Sequence, residues 1–264
     1  MTPTPLAVPA AARDLAGKVV LITGASTGIG AAAARAFAGL GCRIVVHYNA
    51  SQAAAAAVAA DCIAAGAEAA LVAGDVTRPD AVRGVVAESL ARFGRIDVLV
   101  NNAGGLVRRL PIADYTAEHI AAVLALNVTQ VALFMHEVVP GMRARGHGNV
   151  INVASLAARN GGGPGAVLYA GTKGFVATAT RGWAKELAGA GIRVNAVSPG
   201  VILTPFHERF TTPEQLQKMQ STIPLGRAGT AEECAGTFVY LASDALSGYV
   251  TGQVIEVNGG QYMP

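Results

Sequence analysis

Charge is scarce in this chain: Asp, Glu, Lys and Arg make up 14% of its 264 residues, 20 basic against 17 acidic, for a formal net charge of +3. No run of Lys or Arg occurs, so the mild positive excess is dispersed and points to neither nucleic acid nor an anionic membrane surface. Cysteine is equally sparse. Cys42, Cys62 and Cys234 are odd in number and lack a C-x-x-C spacing, which argues against a disulfide framework or a zinc site and leaves three reduced packing residues. No apolar run reaches ~18 residues, and residues 1–17 show no basic stretch followed by an apolar one. Neither a membrane span nor a secretion signal is therefore expected, and the expected compartment is the cytoplasm. His119, His136 and His147 have no carboxylate or cysteine at metal-ligand spacing, so no metal is assigned.

Apolar residues are abundant, at 52%. With so few charges to cover a monomer's surface, some helix faces are expected to be buried between subunits. The absence of a composition break favours one domain over residues 17–264, preceded by a flexible arm over residues 1–16. Short Val/Ile/Leu-rich runs alternate with longer Ala-rich segments, the pattern of parallel strands crossed over by helices. Seven strands are expected near residues 19–22, 43–47, 69–73, 98–101, 149–153, 193–197 and 254–257. Helices are expected near 28–39, 52–65, 79–93, 117–144, 168–190 and 231–243. The fold class is thus α/β, a single doubly wound parallel sheet of Rossmann type with helices on both faces. Ligands on such a sheet sit beyond the carboxyl ends of the strands. That gathers Gly24, Asp75, Asn101, Ser155 and Pro199 around one crevice.

Two motifs carry chemistry. The apolar run ending at Ile22 leads into Thr23-Gly24-Ala25-Ser26-Thr27-Gly28-Ile29-Gly30 and then an Ala-rich helical segment. Strand, glycine turn and helix together present backbone N–H groups to an anion and let a pyrophosphate approach closely; the alternative is a purely structural turn. In Tyr169-Ala170-Gly171-Thr172-Lys173, a phenol and an ammonium share one helical face. A free tyrosine titrates near ~10 and needs a shift of ~2 to 3 units to work near neutrality. One ammonium at ~4 Å, with an effective dielectric of ~20, supplies about that much. Taken alone, such a pair reads by default as an idle solvated one, and the rest of the chain must decide.

These motifs, with Asp75-Val76, N-N-A-G at Asn101, Asn127 in L-N-V-T, Ser155, and Pro199-Gly200 with Thr204, give the chain a resemblance to the short-chain dehydrogenase/reductases over residues 17–260. The resemblance implies Tyr169 as general acid for carbonyl reduction and base for alcohol oxidation. It implies that Lys173 lowers the phenol's pKa and holds the nicotinamide ribose, that Ser155 hydrogen-bonds the substrate oxygen, and that Asn127 supports a water-linked proton path. Gly24, Ser26, Thr27, Gly28, Ile29 and Gly30 would cradle the pyrophosphate, Asp75 and Val76 would meet the adenine, and Asn101, Ala103 and Gly104 would line the ribose. Pro199, Gly200, Ile202 and Thr204 would take the nicotinamide end. A lid over residues 203–223 would cover the substrate, with Arg108, Leu156, Phe206 and His207 as candidate contacts. Blander roles stand beside these: a cap for Ser155, a helix kink for Asn127, a helix start for Asp75, solvated loop charges for Arg108 and Arg109.

Two departures limit the carry-over. The interval from Ser155 to Tyr169 is one residue longer than the family's usual spacing, with a glycine-rich stretch to absorb it, and position 27 is Thr where many NADP-binding members have Arg or Lys. At the end of the second strand the chain offers His47, Tyr48, Asn49 and Ser51 and no carboxylate that would repel a 2′-phosphate. NADP is favoured there, with NAD possible if His47 and Tyr48 only pack on the adenine. The resemblance also implies a homotetramer built on the helices from Ala117 and Leu168, with residues 261–264 either near a neighbouring subunit and its active site or a frayed terminus. The expected function is hydride transfer between a nicotinamide and a small-molecule carbonyl or secondary alcohol. A non-catalytic dinucleotide-sensing protein on the same fold is the alternative. Within the enzymes, 3-oxoacyl thioester reductase and sugar or polyol dehydrogenase stay open.

Overall fold

The computed structural model describes residues 10–264. Strands β1 (Val19–Ile22), β2 (Arg43–Tyr48), β3 (Ala69–Ala73) and β4 (Val98–Asn101) alternate with helices α1 (Gly28–Ala38), α2 (Gln52–Ala64) and α3 (Pro79–Phe93). Helices α4 (Ala117–Leu124) and α5 (Gln130–Arg145) lead into β5 (Gly148–Val153). After it come α6 (Ala157–Asn160), α7 (Val167–Leu187), β6 (Ile192–Pro199), β7 (Ile202–Leu203), α8 (Pro205–Phe210) and α9 (Pro213–Gln220). The chain closes with β8 (Gly229–Thr230), α10 (Ala231–Ala242), α11 (Asp244–Ser247) and β9 (Val254–Val257). Seven strands form one all-parallel sheet in the order β3-β2-β1-β4-β5-β6-β9, and β7 pairs β8 in a separate small ribbon.

Alternation along each strand sorts side chains to opposite faces of the sheet. From β1, Val20 and Ile22 join Phe37, Cys62, Phe238 and Leu241 under α1, α2 and α10, whereas Val19 and Leu21 join Phe134, Met142 and Leu187 under α5 and α7. Both faces are dry, which is why the strands read as continuous apolar runs. The three cysteines lie within the first of these cores, and burial pushes their thiols up to about 12, 11 and 12 for Cys42, Cys62 and Cys234.

The strand order reverses between β1 and β4, so the turns after Ile22 and Asn101 face one crevice, the place such sheets bind ligands.

Two expectations are corrected. Part of the arm expected over residues 1–16 falls outside the described residues, but Ala10–Leu15 form a 3-10 helix with Ala12 and Leu15 fully buried. The long fourth helix is interrupted: Ala125–Thr129 form a π-turn between α4 and α5, with Asn127 buried inside it. The stretch Ala117–Arg145 is long and apolar enough, by length and composition alone, to cross a membrane, a test that buried core helices also pass; 44% of its most apolar window is buried within the molecule.

Candidate active site

The glycine turn after β1 shapes one end of a cleft of about 1100 Å³. Gly24 and Gly28 have φ of +64° and +55°, the left-handed region that side chains avoid. A Cβ on Gly24 would lie 3.1 Å from Ala103 Cα, and one on Gly28 would lie 3.2 Å from Thr204 Cγ2, so the turn also brings three loops together. Thr27 stands at the N-cap of α1 without a side-chain capping bond, leaving the helix's first N–H groups turned to the cleft with no side chain to receive them. That free N-terminus between two glycines fits a pyrophosphate.

Three residues brace this end. Thr23 Oγ1 accepts from the backbone N–H groups of Asn102 and Ala103 at 3.0 and 2.9 Å, and Asn102 Nδ2 donates to the Thr23 and Gly24 carbonyls at 2.9 and 3.0 Å. His47 is buried; its Nδ1 accepts from the Gly24 N–H at 3.0 Å, so the remaining proton is on Nε2 and points to the Gly74 carbonyl, also at 3.0 Å. Burial keeps this imidazole below its ordinary pKa, and with both nitrogens engaged it has no donor left for a phosphate.

At the other end, α7 presents Tyr169 and α6 begins beside Ser155. Ser155 Oγ accepts from the Ala157 N–H at 3.1 Å and also hydrogen-bonds the Tyr169 side chain, so the capping role and the site role coexist. Lys173 is buried beneath, its Nζ donating to the Val153 carbonyl at 2.7 Å and lying 5.7 Å from the Tyr169 ring centre. Asn127 Oδ1 accepts from the Gly105 N–H at 3.0 Å while its Nδ2 donates to the Gly105 and Val123 carbonyls, both at 2.9 Å. The π-turn exists where this side chain must leave the helix to hold that loop, a common reason for such turns.

A buried chain of hydrogen bonds fixes the rotation of α7 on the sheet, from Asn101 to Asn152 at 2.9 Å and from Asn152 to Thr180 at 2.9 Å.

Electrostatics differ from expectation. Burial pushes the Tyr169 phenol up to about 12, with the Ser155 bond pulling the other way, and pushes Lys173 down to about 8. The ammonium is anchored on the β5 main chain rather than against the phenol oxygen, so desolvation outweighs their attraction. The phenol is held in its acid form.

Most expected site residues line the cleft: Gly24, Ser26, Thr27, Gly28, Ile29, His47, Asn49, Asp75, Val76, Ala103 and Gly104 toward the end shaped by the glycine turn, with Ser155, Leu156, Tyr169, Lys173, Pro199, Gly200, Ile202, Thr204, Phe206 and His207 beyond. Five do not. Gly30 sits within α1, where a Cβ would come 2.5 Å from Asn102 Nδ2. Tyr48 packs on the core, Asn101 faces Asn152, and Asn127 is enclosed behind Gly105. Arg108 is exposed: Val107 takes φ +63°, unusual for a β-branched residue, and the next side chain to line the cleft is that of Arg109. Asp75 Oδ1 accepts from the Thr77 N–H and hydroxyl at 3.0 and 2.7 Å, bonds that hold its carboxyl below the usual range.

Asn102, Arg209, Lys218 and Gln261 also line the cleft and were missed. Strand parity would have found Asn102, since Asn101 closes β4 and faces inward. The tail was expected near a neighbouring subunit; here Gln261 Nε2 donates to Thr222 Oγ1 of the chain's own lid at 2.7 Å.

A family model described as enoyl-(acyl carrier protein) reductase matches residues 24–261. The chain belongs to the short-chain dehydrogenase/reductase family. It is 43% identical over 249 residues to the 3-oxoacyl-[acyl-carrier-protein] reductase of Synechocystis sp., covering 94% of this chain and 98% of that one. With the 3-oxoacyl-[acyl-carrier-protein] reductase FabG of Thermotoga maritima it shares 41% over 252 residues, 93% of this chain and 98% of the relative. The crystal structure of the NADH-dependent reductase A1-R′ complexed with NAD superposes with a TM-score of 0.86 at 35% identity, covering 96% of this chain and all of that one. This short-chain dehydrogenase/reductase is accordingly an oxidoreductase acting on C=O and CH–OH groups.

Proposed function

We propose that the protein reduces the keto group of a 3-oxoacyl thioester at the expense of a nicotinamide dinucleotide, with Tyr169 as the proton donor. One observation carries the reading: the Tyr169 hydroxyl, bonded to Ser155 and pushed up to about 12, keeps its proton at every working pH and shares a cleft with the open N-terminus of α1. The bound dinucleotide supplies the hydride. The remaining steps belong to this chain. Ser155 hydrogen-bonds the carbonyl oxygen and orients it toward Tyr169, which gives up its proton to the oxygen as negative charge develops there. Lys173 holds positive charge beneath the phenol below about pH 8, which stabilises the phenolate left behind. Asn127 keeps Gly104 and Gly105 where a Cβ on Gly104 would reach 3.2 Å from Lys173 Nζ, so the loop packs directly on the ammonium.

NADP(H) is preferred because Asn49, Ser51, Ser26 and Thr27 line the adenine end and β2 ends in no carboxylate. No Lys or Arg is among the residues lining that end, so the preference is modest and NAD(H) is also used. The exposed apolar side chains Leu124, Val167 and Phe175 on α4 and α7 suit a homotetramer, and the cytoplasm suits the three free thiols. The test is a screen by nicotinamide absorbance, with both dinucleotides, over 3-oxoacyl thioesters, ketoses, polyols and cyclic ketones. Thioester reduction with NADPH is the expected best activity; polyol oxidation without thioester reduction refutes the reading.

A further inference from the structure

The substrate end of the cleft is ringed by cations that have no carboxylate of their own. Most arginines outside it are paired within the fold, among them Arg35 with Asp61, Arg95 with Asp97, Arg159 with Glu256 and Arg193 with Asp244. Arg109, Arg209 and Lys218 line the cleft, and among the described residues none of them has an acidic oxygen within 4.0 Å. Among the described residues Asp75 is the sole carboxylate lining the cleft, and it stands at the adenine end. Glu208 and Glu214 share the lid but do not line the cleft.

The cations are built into a path that starts at the reacting group. The Phe206 ring lies 5.8 Å from the Tyr169 ring, the Phe210 ring 5.2 Å from Phe206, and the Arg209 guanidinium 5.2 Å from the centre of Phe210. Arg109 closes the same corner, its Nε donating to the Phe210 carbonyl at 2.7 Å and its Nη1 to the Pro164 carbonyl at 3.1 Å. Two of its nitrogens thus hold the guanidinium between lid and glycine loop, and Nη2 has no hydrogen-bond partner among the described residues. A positioned guanidinium beside two exposed cations at the end of an aromatic wall matches an anion at the far end of an apolar spacer.

We propose that the substrate is an anionic carbonyl compound whose carboxylate or phosphate docks on Arg109, Arg209 and Lys218 while its reacting oxygen sits at Tyr169 and Ser155. This rests on the catalytic reading above and narrows its substrate class to molecules with negative charge beyond the spacer.

The test compares matched pairs: 7-oxooctanoate against its ethyl ester for a carboxylate, and acetoacetyl-coenzyme A against acetoacetyl-N-acetylcysteamine for a phosphate. In one pair the anionic member is favoured in kcat/KM by about tenfold, the worth of one charge-assisted contact, and the pair concerned identifies the anion. In Arg209→Gln and Lys218→Gln the KM of that member rises severalfold while the neutral member's constants stay within about twofold. Equal handling of both members in both pairs overturns the proposal, as does equal loss of both members in the variants. Titration calorimetry with 7-oxooctanoate and with acetoacetyl-coenzyme A separates this failure from that of the catalytic reading. Binding of either anion weakened in both variants, in a protein that reduces no carbonyl, supports the anion site and sinks the reductase; unaltered binding of both in the variants sinks the anion site.

Discussion

Lys173 Nζ donates to the Val153 carbonyl at 2.7 Å while standing 5.7 Å from the centre of the Tyr169 ring. The ammonium is therefore fixed to the sheet, and its charge rather than its reach is what it lends to the phenol.

That charge is conditional on pH. An amine pushed down to about 8 is charged below that value and neutral above it. The kcat/KM for carbonyl reduction is expected to be level on the acid side and to fall as pH rises through about 8, whereas Tyr169 keeps its proton up to about 12 and sets no limb there. Lys173→Arg keeps the cation, so the limb near 8 should vanish from a profile of lower height. An unaltered limb in this variant would assign it to another group.

Tyr169→Phe removes one hydroxyl and leaves the ring against Phe206. Turnover should fall by about two to four orders of magnitude, the usual worth of a positioned acid. The dissociation constant for the dinucleotide, measured by fluorescence quenching, should change by less than about threefold, since that affinity is dominated by contacts elsewhere in the cleft. Retention of more than about a tenth of the turnover ends the proton-donor role.

Asn127→Ala tests the loop clamp. The substitution leaves the buried Gly105 N–H and the Gly105 carbonyl without their side-chain partners, and each costs about 1 to 3 kcal/mol unless water reaches it. Urea unfolding should show a loss of about 3 kcal/mol, together with a lower kcat because Gly104 loses its register against Lys173. Unchanged stability would mean that the π-turn closes without this side chain.

Much of the fold was legible because alternation and apolar runs report burial directly. All seven sheet strands appear within two residues of the expected bounds, since a strand covered on both faces must be apolar throughout. The π-turn was not legible: Asn127 breaks no periodicity, and only the position of Gly105 shows why the helix widens there. The pairing of Tyr169 with Ser155 and Lys173 was anticipated by motif, but the direction of the phenol's shift was not, because sequence gives the neighbours of a group and not how dry it is. Likewise Arg108 and Arg109 are indistinguishable as letters. The φ of Val107, +63°, comes just before one faces solvent and the other lines the cleft.

Asp244 carries the last prediction, at the corner where the Ala10–Leu15 helix meets α11 and β6. Its carboxylate accepts from Lys18 Nζ at 3.0 Å, His147 Nε2 at 2.7 Å and Arg193 Nη2 at 2.9 Å, while Asp14 accepts from its backbone N–H at 2.7 Å. Burial alone would raise this carboxyl; the bonds from His147, Lys18 and Arg193 outweigh it and hold the group well below the ordinary carboxylate range. A depressed carboxylate contributes stability that is complete above its unfolded value, ~3.9, and is lost as pH falls through the folded value. The side chain is 39% exposed, so solvent screening cuts the Coulombic part. The buried Arg193 left without a counter-charge adds to the loss, and Asp244→Asn should cost about 2 kcal/mol at neutral pH. Urea, being uncharged, leaves the network unscreened, and the gap between wild type and variant should narrow steadily below about pH 4, where the unfolded chain's carboxylate takes up a proton that the folded one still refuses. A gap of the same size at both ends of the range would place the effect in packing rather than in charge.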